Sequence, residues 1–215
     1  MDPVGLMNDE TRDRLRNAYD GQAAVRDGRT PAAWKRDLRA AFLERLRRER
    51  CVRLLEIGAG PGRDGAFFVR EGLDVVCIDL SPEMIRRCRE KGLDARPMDA
   101  CDLRFPDNSF DAVYSLNTFL HLPHTELPRG LREVGRVLRP DGLFFLGLYG
   151  GYEHEGVWEE DDCEPKRFFS FHTDAGLLEA TGAVFDVVSF RRIDLEDSDP
   201  RIHFQSLILR YRAKR

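Results

Sequence analysis

No run in this 215-residue chain approaches the ~20 consecutive apolar residues that a membrane-spanning helix needs. The start of the chain also lacks the apolar core of a secretion signal, so no membrane partner and a cytoplasmic location are expected. Cysteine is scarce and unpatterned. Cys51, Cys77, Cys88, Cys101 and Cys163 make an odd set without a C-x-x-C pair, which argues against a disulfide framework or a zinc site. No metal ligand is expected elsewhere either. Positive charge is not in excess: the net charge of −4 offers no general attraction to a phosphate backbone, so a nucleic-acid partner is not expected. Internal repeats and low-complexity segments are absent. What remains is 42% hydrophobic and 33% charged, the balance of one soluble domain with a full-sized core.

The most informative stretch is Leu54-Leu55-Glu56-Ile57-Gly58-Ala59-Gly60-Pro61-Gly62-Arg63-Asp64. An apolar run ends in a carboxylate, breaks into three glycines at alternate positions and enters a helix. Glycine admits backbone conformations closed to other residues and lets a ligand approach the main chain. A strand ending this way, at the carboxyl edge of a parallel sheet, makes a shelf for a nucleoside-like cofactor. The dinucleotide fingerprint G-x-G-x-x-G does not fit, because the third glycine arrives one residue early and Arg63 holds the place reserved for glycine. Pro61 also removes an amide N–H that a phosphate cradle would use.

The following elements extend the pattern. Leu73 to Asp79 reads as a buried strand bounded by Gly72 and Ser81-Pro82. Its last residue, Asp79, falls nineteen positions after Gly60, where an acid accepts hydrogen bonds from ribose hydroxyls. Leu80 and Met84 are apolar neighbours for an adenine face. Asp99 follows a third short strand, Phe110 to Leu116 is a fourth, and Leu131 to Leu148 holds a helix closed by Pro140-Asp141-Gly142 and then a fifth strand.

Together E-I-G-A-G-P-G-R-D, Asp79, Asp99 and L-R-E-V-G-R-V-L-R-P-D-G resemble class I S-adenosylmethionine (SAM) methyltransferases, and specifically the small-molecule, ubiquinone-biosynthesis type. The resemblance covers roughly residues 51 to 150. It implies an α/β, Rossmann-like fold: a seven-stranded, mostly parallel sheet of order 3-2-1-4-5-7-6, helices on both faces, and a C-terminal antiparallel hairpin. It divides the chain into a helical lid or extension at 1–50 and a methyltransferase domain at 51–215, with a substrate-recognition insertion at 150–171. SAM is the implied cofactor and S-adenosylhomocysteine (SAH) the product. The cofactor would be held by Tyr19, Glu56, Gly58, Ala59, Gly60, Arg63, Asp64 and Asp79. Leu80, Met84, Asp99, Ala100, Ser115, Leu116 and His121 complete that set.

The flanks bear on the acceptor. Thr11 to Tyr19 and Pro31 to Arg50 read as helices, the second with Thr30 as N-cap and an apolar stripe of Trp34, Leu38, Phe42 and Leu46. That second helix carries an excess of basic residues, read as a solvated face. Gly150 to Pro165 is irregular and strongly acidic around Tyr152, His154 and Trp158; it is either a solvated loop or a flap favouring cationic acceptors. Beyond it lie a helix at 174–181, capped by Thr173 or Asp174, and two β-rich runs joined by Glu196 to Pro200. Trp34, Tyr149, Trp158, Phe169 and Phe171 are the expected acceptor-lining residues. Of five histidines, His121 and His172 are candidate general bases for a transfer otherwise driven by alignment, His154 in the acidic loop ranks behind them, and His124 and His203 are read as surface or strand residues.

Ser115-Leu116-Asn117-Thr118 lacks the N/D-P-P-Y/F/W group of enzymes that methylate nucleobase or glutamine nitrogens. The expected activity is therefore methylation of an N, O or C atom of a small organic metabolite, by a monomer or homodimer. Two other readings stay open: a non-catalytic SAM-binding module and an NAD(P)-dependent oxidoreductase.

Overall fold

The computed structural model describes residues 9–195 and 199–213. Two helices come first, α1 (Asp9–Gly28) and α2 (Ala33–Arg48). Alternating strands and helices follow: β1 (Arg53–Ile57), α3 (Arg63–Arg70), β2 (Asp74–Asp79), α4 (Pro82–Glu90), β3 (Asp94–Pro97) and β4 (Phe110–Leu116). Then come α5 (Leu127–Val137), β5 (Leu138–Gly150), the short strands β6 (His154–Val157) and β7 (Phe168–Phe171), α6 (Asp174–Gly182), β8 (Phe185–Asp194) and β9 (His203–Tyr211).

The main sheet runs β3-β2-β1-β4-β5-β9-β8. Its first five strands are parallel, and β9 is antiparallel to both β5 and β8. With the separate β6–β7 pair set aside, this is the expected order. The inner strands read as unbroken apolar runs because both faces are covered: Leu54, Leu55 and Ile57, like Val75 to Ile78, are buried. One face packs on α5 and α6 through Leu131, Val134, Phe144, Leu177 and Phe185. On the other, Leu38, Phe42 and Leu46 of α2 join Phe68, Tyr114 and Phe145. The Phe42 ring lies 5.4 Å from Phe145.

Four boundaries differ from the sequence reading. Helix α1 continues past Tyr19 because the Asp20 carboxylate is used across the interface, accepting from Ser81 Oγ and from the Glu83 amide (3.2 Å). Helix α2 starts at Ala33 behind an extended Ala32 with no side-chain cap, leaving Thr30 and Pro31 in the connection. Strand β5 pairs from Leu138 onward, and the Pro140-Asp141-Gly142 turn lies inside it, between the pairings Phe110–Leu138 and Ala112–Leu143. The irregular acidic segment contains a two-stranded sheet, with His154 opposite Phe171 and Val157 opposite Phe168. The expected connection between β8 and β9 lies in part outside the described residues.

Candidate functional site

The chain after β1 folds over itself before α3 begins. Gly58 (φ +72°) and Gly62 (φ +81°) both adopt left-handed backbone. A Cβ on Gly58 would sit 1.8 Å from Thr118 Oγ1, and one on Gly62 would lie 2.7 Å from Leu93 Cδ1. Only glycine fits either place. Thr118 and Ser115 both donate their hydroxyls to the Ile57 carbonyl at 3.1 Å, tying the ends of β1 and β4 together. Ser115 thus locks the shelf and does not line the cavity.

The amides of this turn are already engaged. Gly58 and Ala59 donate to the Ile78 carbonyl (2.8 and 2.9 Å), Gly62 to the Ala59 carbonyl (3.0 Å) and Gly60 to Asp79 (2.8 Å). Pro61 has no N–H to give. A pyrophosphate needs such donors free, so the turn suits a cofactor without phosphate and disfavours the oxidoreductase reading.

Above the turn opens a cavity of about 390 Å³. Its floor is the Gly58–Pro61 turn with Asp79, Leu80 and Met84; Met98, Asp99 and Ala100 line it further along. Leu116, Asn117, Thr118 and His121 form a wall, and Arg63 and Asp64 close the end by α3. Tyr19 and Arg26 of α1 form a roof that continues through Arg29, Lys35 and Arg36. The structure thus brings together thirteen of the fifteen expected cofactor residues and leaves Glu56 and Ser115 outside the lining.

Asp79 receives the Gly60 amide on one oxygen and the Ser81 amide (2.9 Å) on the other. Removal from water holds its carboxyl above the usual range, against the pull of those amides and of Arg26. Asp99 is held between the Cys101 amide (2.7 Å) and the Arg12 guanidinium (2.7 Å), which also reaches buried Glu126 (3.2 Å). Asp64 is paired with Arg39 at 2.5 Å.

Glu56 points away from the cavity into the α3 side of the sheet, where Cys77 Sγ donates to it at 3.3 Å. Burial, reinforced by the negative charge of Asp64, raises its pKa well above 4.5. Its folded-state pKa being raised, it contributes most stability below pH 4.5, and this is lost as pH rises toward the folded value. Glu56→Gln removes that drain. Chemical denaturation from pH 5 to 8 is expected to show the wild type losing up to about 1.4 kcal/mol per pH unit relative to the variant. Parallel curves would refute it.

His121 is buried on the 3-10 turn Phe119–His121. Its Nδ1 faces the Phe168 carbonyl at 2.7 Å, which can only accept, so Nδ1 carries the proton. Nε2 therefore accepts from Tyr19 Oη at 2.6 Å. Burial lowers its pKa to about 3. Tyr19 Oη in turn accepts from Arg167 (3.2 Å), whose guanidinium grips buried Asp161 at 2.6 and 2.8 Å. One chain of contacts therefore joins α1, the wall and the β6–β7 segment.

Tyr149, Trp158, Phe169 and Phe171 do assemble, but around a second hollow of about 230 Å³. It stands back to back with the first, since the Phe169 ring lies 4.8 Å from His121. Trp34 is not in either lining: it packs on Phe204 at 4.7 Å, and its neighbour Lys35 faces the cavity instead. His172 is buried outside the cofactor cavity, its ring 4.3 Å from His124. The sequence reading missed Arg26, Arg29, Lys35, Arg36, Asn117 and Thr118. The basic excess of α2 was the available signal, and it was read as solvated.

A nucleoside shelf at the carboxyl edge of this sheet, with acids at the tips of β2 and β3 and no free phosphate cradle, defines a SAM-binding α/β fold of class I. Comparison with known proteins agrees. A family model described as a methyltransferase domain matches residues 55–146. The malonyl-[acyl-carrier protein] O-methyltransferase of Halorhodospira halophila is 30% identical over 201 residues, 87% of this chain and 67% of that protein. Phosphoethanolamine N-methyltransferase 1 of Arabidopsis thaliana is 32% identical over 73% of this chain, which spans only 32% of that protein. Among solved structures, the 1,6-didemethyltoxoflavin-N1-methyltransferase of Burkholderia thailandensis, with 1,6-didemethyltoxoflavin and SAH bound, aligns with a TM-score of 0.76. It is 23% identical, and the match covers 99% of this chain and 94% of that one. The chain belongs to the class I SAM-dependent methyltransferases, with SAM as cofactor. Among the described residues no helix is long and apolar enough to cross a membrane.

Proposed function

We propose that this protein transfers the methyl group of SAM to a small organic acceptor bearing an acidic group, with an anionic oxygen as the favoured target. The charge of the cavity carries this reading. Its lining holds Arg26, Arg29, Lys35, Arg36 and Arg63 against Asp64, Asp79 and Asp99, and two of those acids are already paired with Arg39 and Arg12. SAM itself presents one carboxylate, so the remaining cations answer an anion that arrives with the acceptor. Of the acids in the 153–164 segment, read from the sequence as either a solvated loop or a flap favouring cationic acceptors, three are turned to internal use. Asp161 holds Arg167, Glu153 accepts the Thr173 amide (2.9 Å) and Glu155 the His124 amide (2.8 Å).

The chemistry follows from the same residues. The sulfonium is activated on arrival, so the protein's task is to align donor and acceptor, which in favourable cases is worth ~7–11 kcal/mol. Proposed roles are the ribose anchor for Asp79, the adenine end for Leu80, Met84 and Asp99, and the roof for Tyr19 and α1. His121 is a positioning residue, because its lone pair is spent on Tyr19 and its basicity is low. An acceptor already ionised at neutral pH needs no base, consistent with the cationic mouth. The aromatic hollow of Trp158, Phe169 and Phe171 would take the acceptor's apolar end.

SAH formation measured across matched acid, ester and amide panels tests the reading. Turnover is expected on acids, and Lys35→Met is expected to raise their KM at least tenfold while SAM affinity changes less than twofold. Faster turnover of neutral or amine acceptors would overturn it. SAM binding without turnover on any panel member would favour a non-catalytic module.

A further inference from the structure

We propose that His124, Glu153 and His172 form a binding site for one divalent transition-metal ion of the zinc class. The three come from separate segments: the loop leading to α5, the turn between β5 and β6, and the residue after β7. Each offers a ligand atom, and the three atoms lie within 4.8 Å of one another. None of them lines the cofactor cavity.

Donor chemistry selects the ion. Two imidazoles with a carboxylate suit zinc, cobalt or nickel, whereas magnesium and calcium call for an all-oxygen shell. Ligand atoms ~2.1 Å from a tetrahedral zinc stand about 3.4 Å apart. Convergence from the present spacing therefore takes shifts of about 1 Å; Glu153 holds the Thr173 amide through Oε1 (2.9 Å) and turns Oε2, on a side chain 53% exposed, toward His124.

Two features point to a cation here. His172 is only 6% exposed, and its Nε2 is buried with no hydrogen-bond partner among the described residues. The His124 ring meets a surplus of acceptors: the Phe171 carbonyl (3.0 Å) and Glu153 Oε2 (3.7 Å) at Nε2, and Glu155 Oε2 (3.4 Å) at Nδ1. A neutral imidazole has one N–H for these three, and a bound cation would answer the excess. Glu155 stays outside the group: it accepts the His124 amide (2.8 Å) and faces Nδ1, the ring nitrogen away from Glu153. The sequence carries an expectation of no metal ligand, and these three residues are brought together only in the folded chain.

The test uses tag-free, chelator-treated full-length protein titrated with Co²⁺ by visible absorption and with Zn²⁺ by calorimetry. One equivalent of Co²⁺ is expected to bind with d–d bands and without a thiolate charge-transfer band. His124→Ala, His172→Ala and the surface variant Glu153→Gln should each weaken Zn²⁺ binding at least tenfold, with circular dichroism confirming folding. No binding tighter than millimolar, unchanged affinity in folded Glu153→Gln, or a thiolate band would overturn the site. SAH titrated into the same samples reports on the methyltransferase reading independently.

Discussion

Asp79→Ala is expected to weaken SAM and SAH binding at least 100-fold by isothermal titration calorimetry on folded protein. Two losses combine. The ribose anchor disappears, and hydrogen bonds to a charged group are worth ~1.5–3 kcal/mol each, so two of them amount to about 10²–10⁴ in affinity. The Gly60 and Ser81 amides also lose the oxygens that fix the turn against the start of α4. Asp79→Asn should not restore binding, because its amide nitrogen would face one of those N–H donors. The raised carboxyl of Asp79 sets a pH signature: SAM affinity falls on acidification from above 3.8, earlier than an ordinary aspartate would cause. A loss below tenfold for Asp79→Ala would remove the acid from the cofactor site.

His121 is expected to dominate acid lability. The folded protein keeps it neutral down to about pH 3, while the unfolded chain takes up a proton near the ordinary 6.5. Its folded pKa being depressed, it contributes stability that is present above pH 6.5 and drains as pH falls toward 3. The slope is about 1.4 kcal/mol per pH unit, so several kcal/mol are at stake in that window. Arg26 and Arg167 disfavour the imidazolium from the roof and the β7 side, and Asp161 offsets them only in part. Urea midpoints from pH 8 to 4 should fall steeply for wild type and more gently for His121→Asn, whose stability at pH 8 is lower because the Tyr19 and Phe168 contacts are cut. Equal slopes would exclude His121 as the source. The same burial predicts no inflection from His121 in kcat/KM between pH 6 and 8.

What could be read in advance was what the chain holds contiguously. The β1–turn–α3–β2 crossover lies within thirty residues, and its glycines and terminal acid report their places through spacing alone. Strand β4 was legible to the residue because a mostly apolar run, Phe110 to Leu116 with only Asp111 and Ser115 polar, stands between polar flanks. The roof was not. Whether Trp34 or Lys35 faces the cavity is a matter of helix phase, settled by the Trp34–Phe204 contact with a strand 170 residues away. Asp161 reads as one acid among many until Arg167 is found gripping it. His172 is next to an aromatic run in sequence, but its neighbour in space is His124, which nothing local announces.

The methyltransferase-domain match ends where the vessel begins. Residues 55–146 supply the ledge on which a nucleoside rests, while Tyr19, Lys35 and the hollow around Trp158 come from either side of that block. Relatives named for very different acceptors can thus share one ledge and part company in the ceiling and back wall. A chimera that keeps the central block and exchanges these flanks would be expected to inherit the donor from one parent and the clientele from the other.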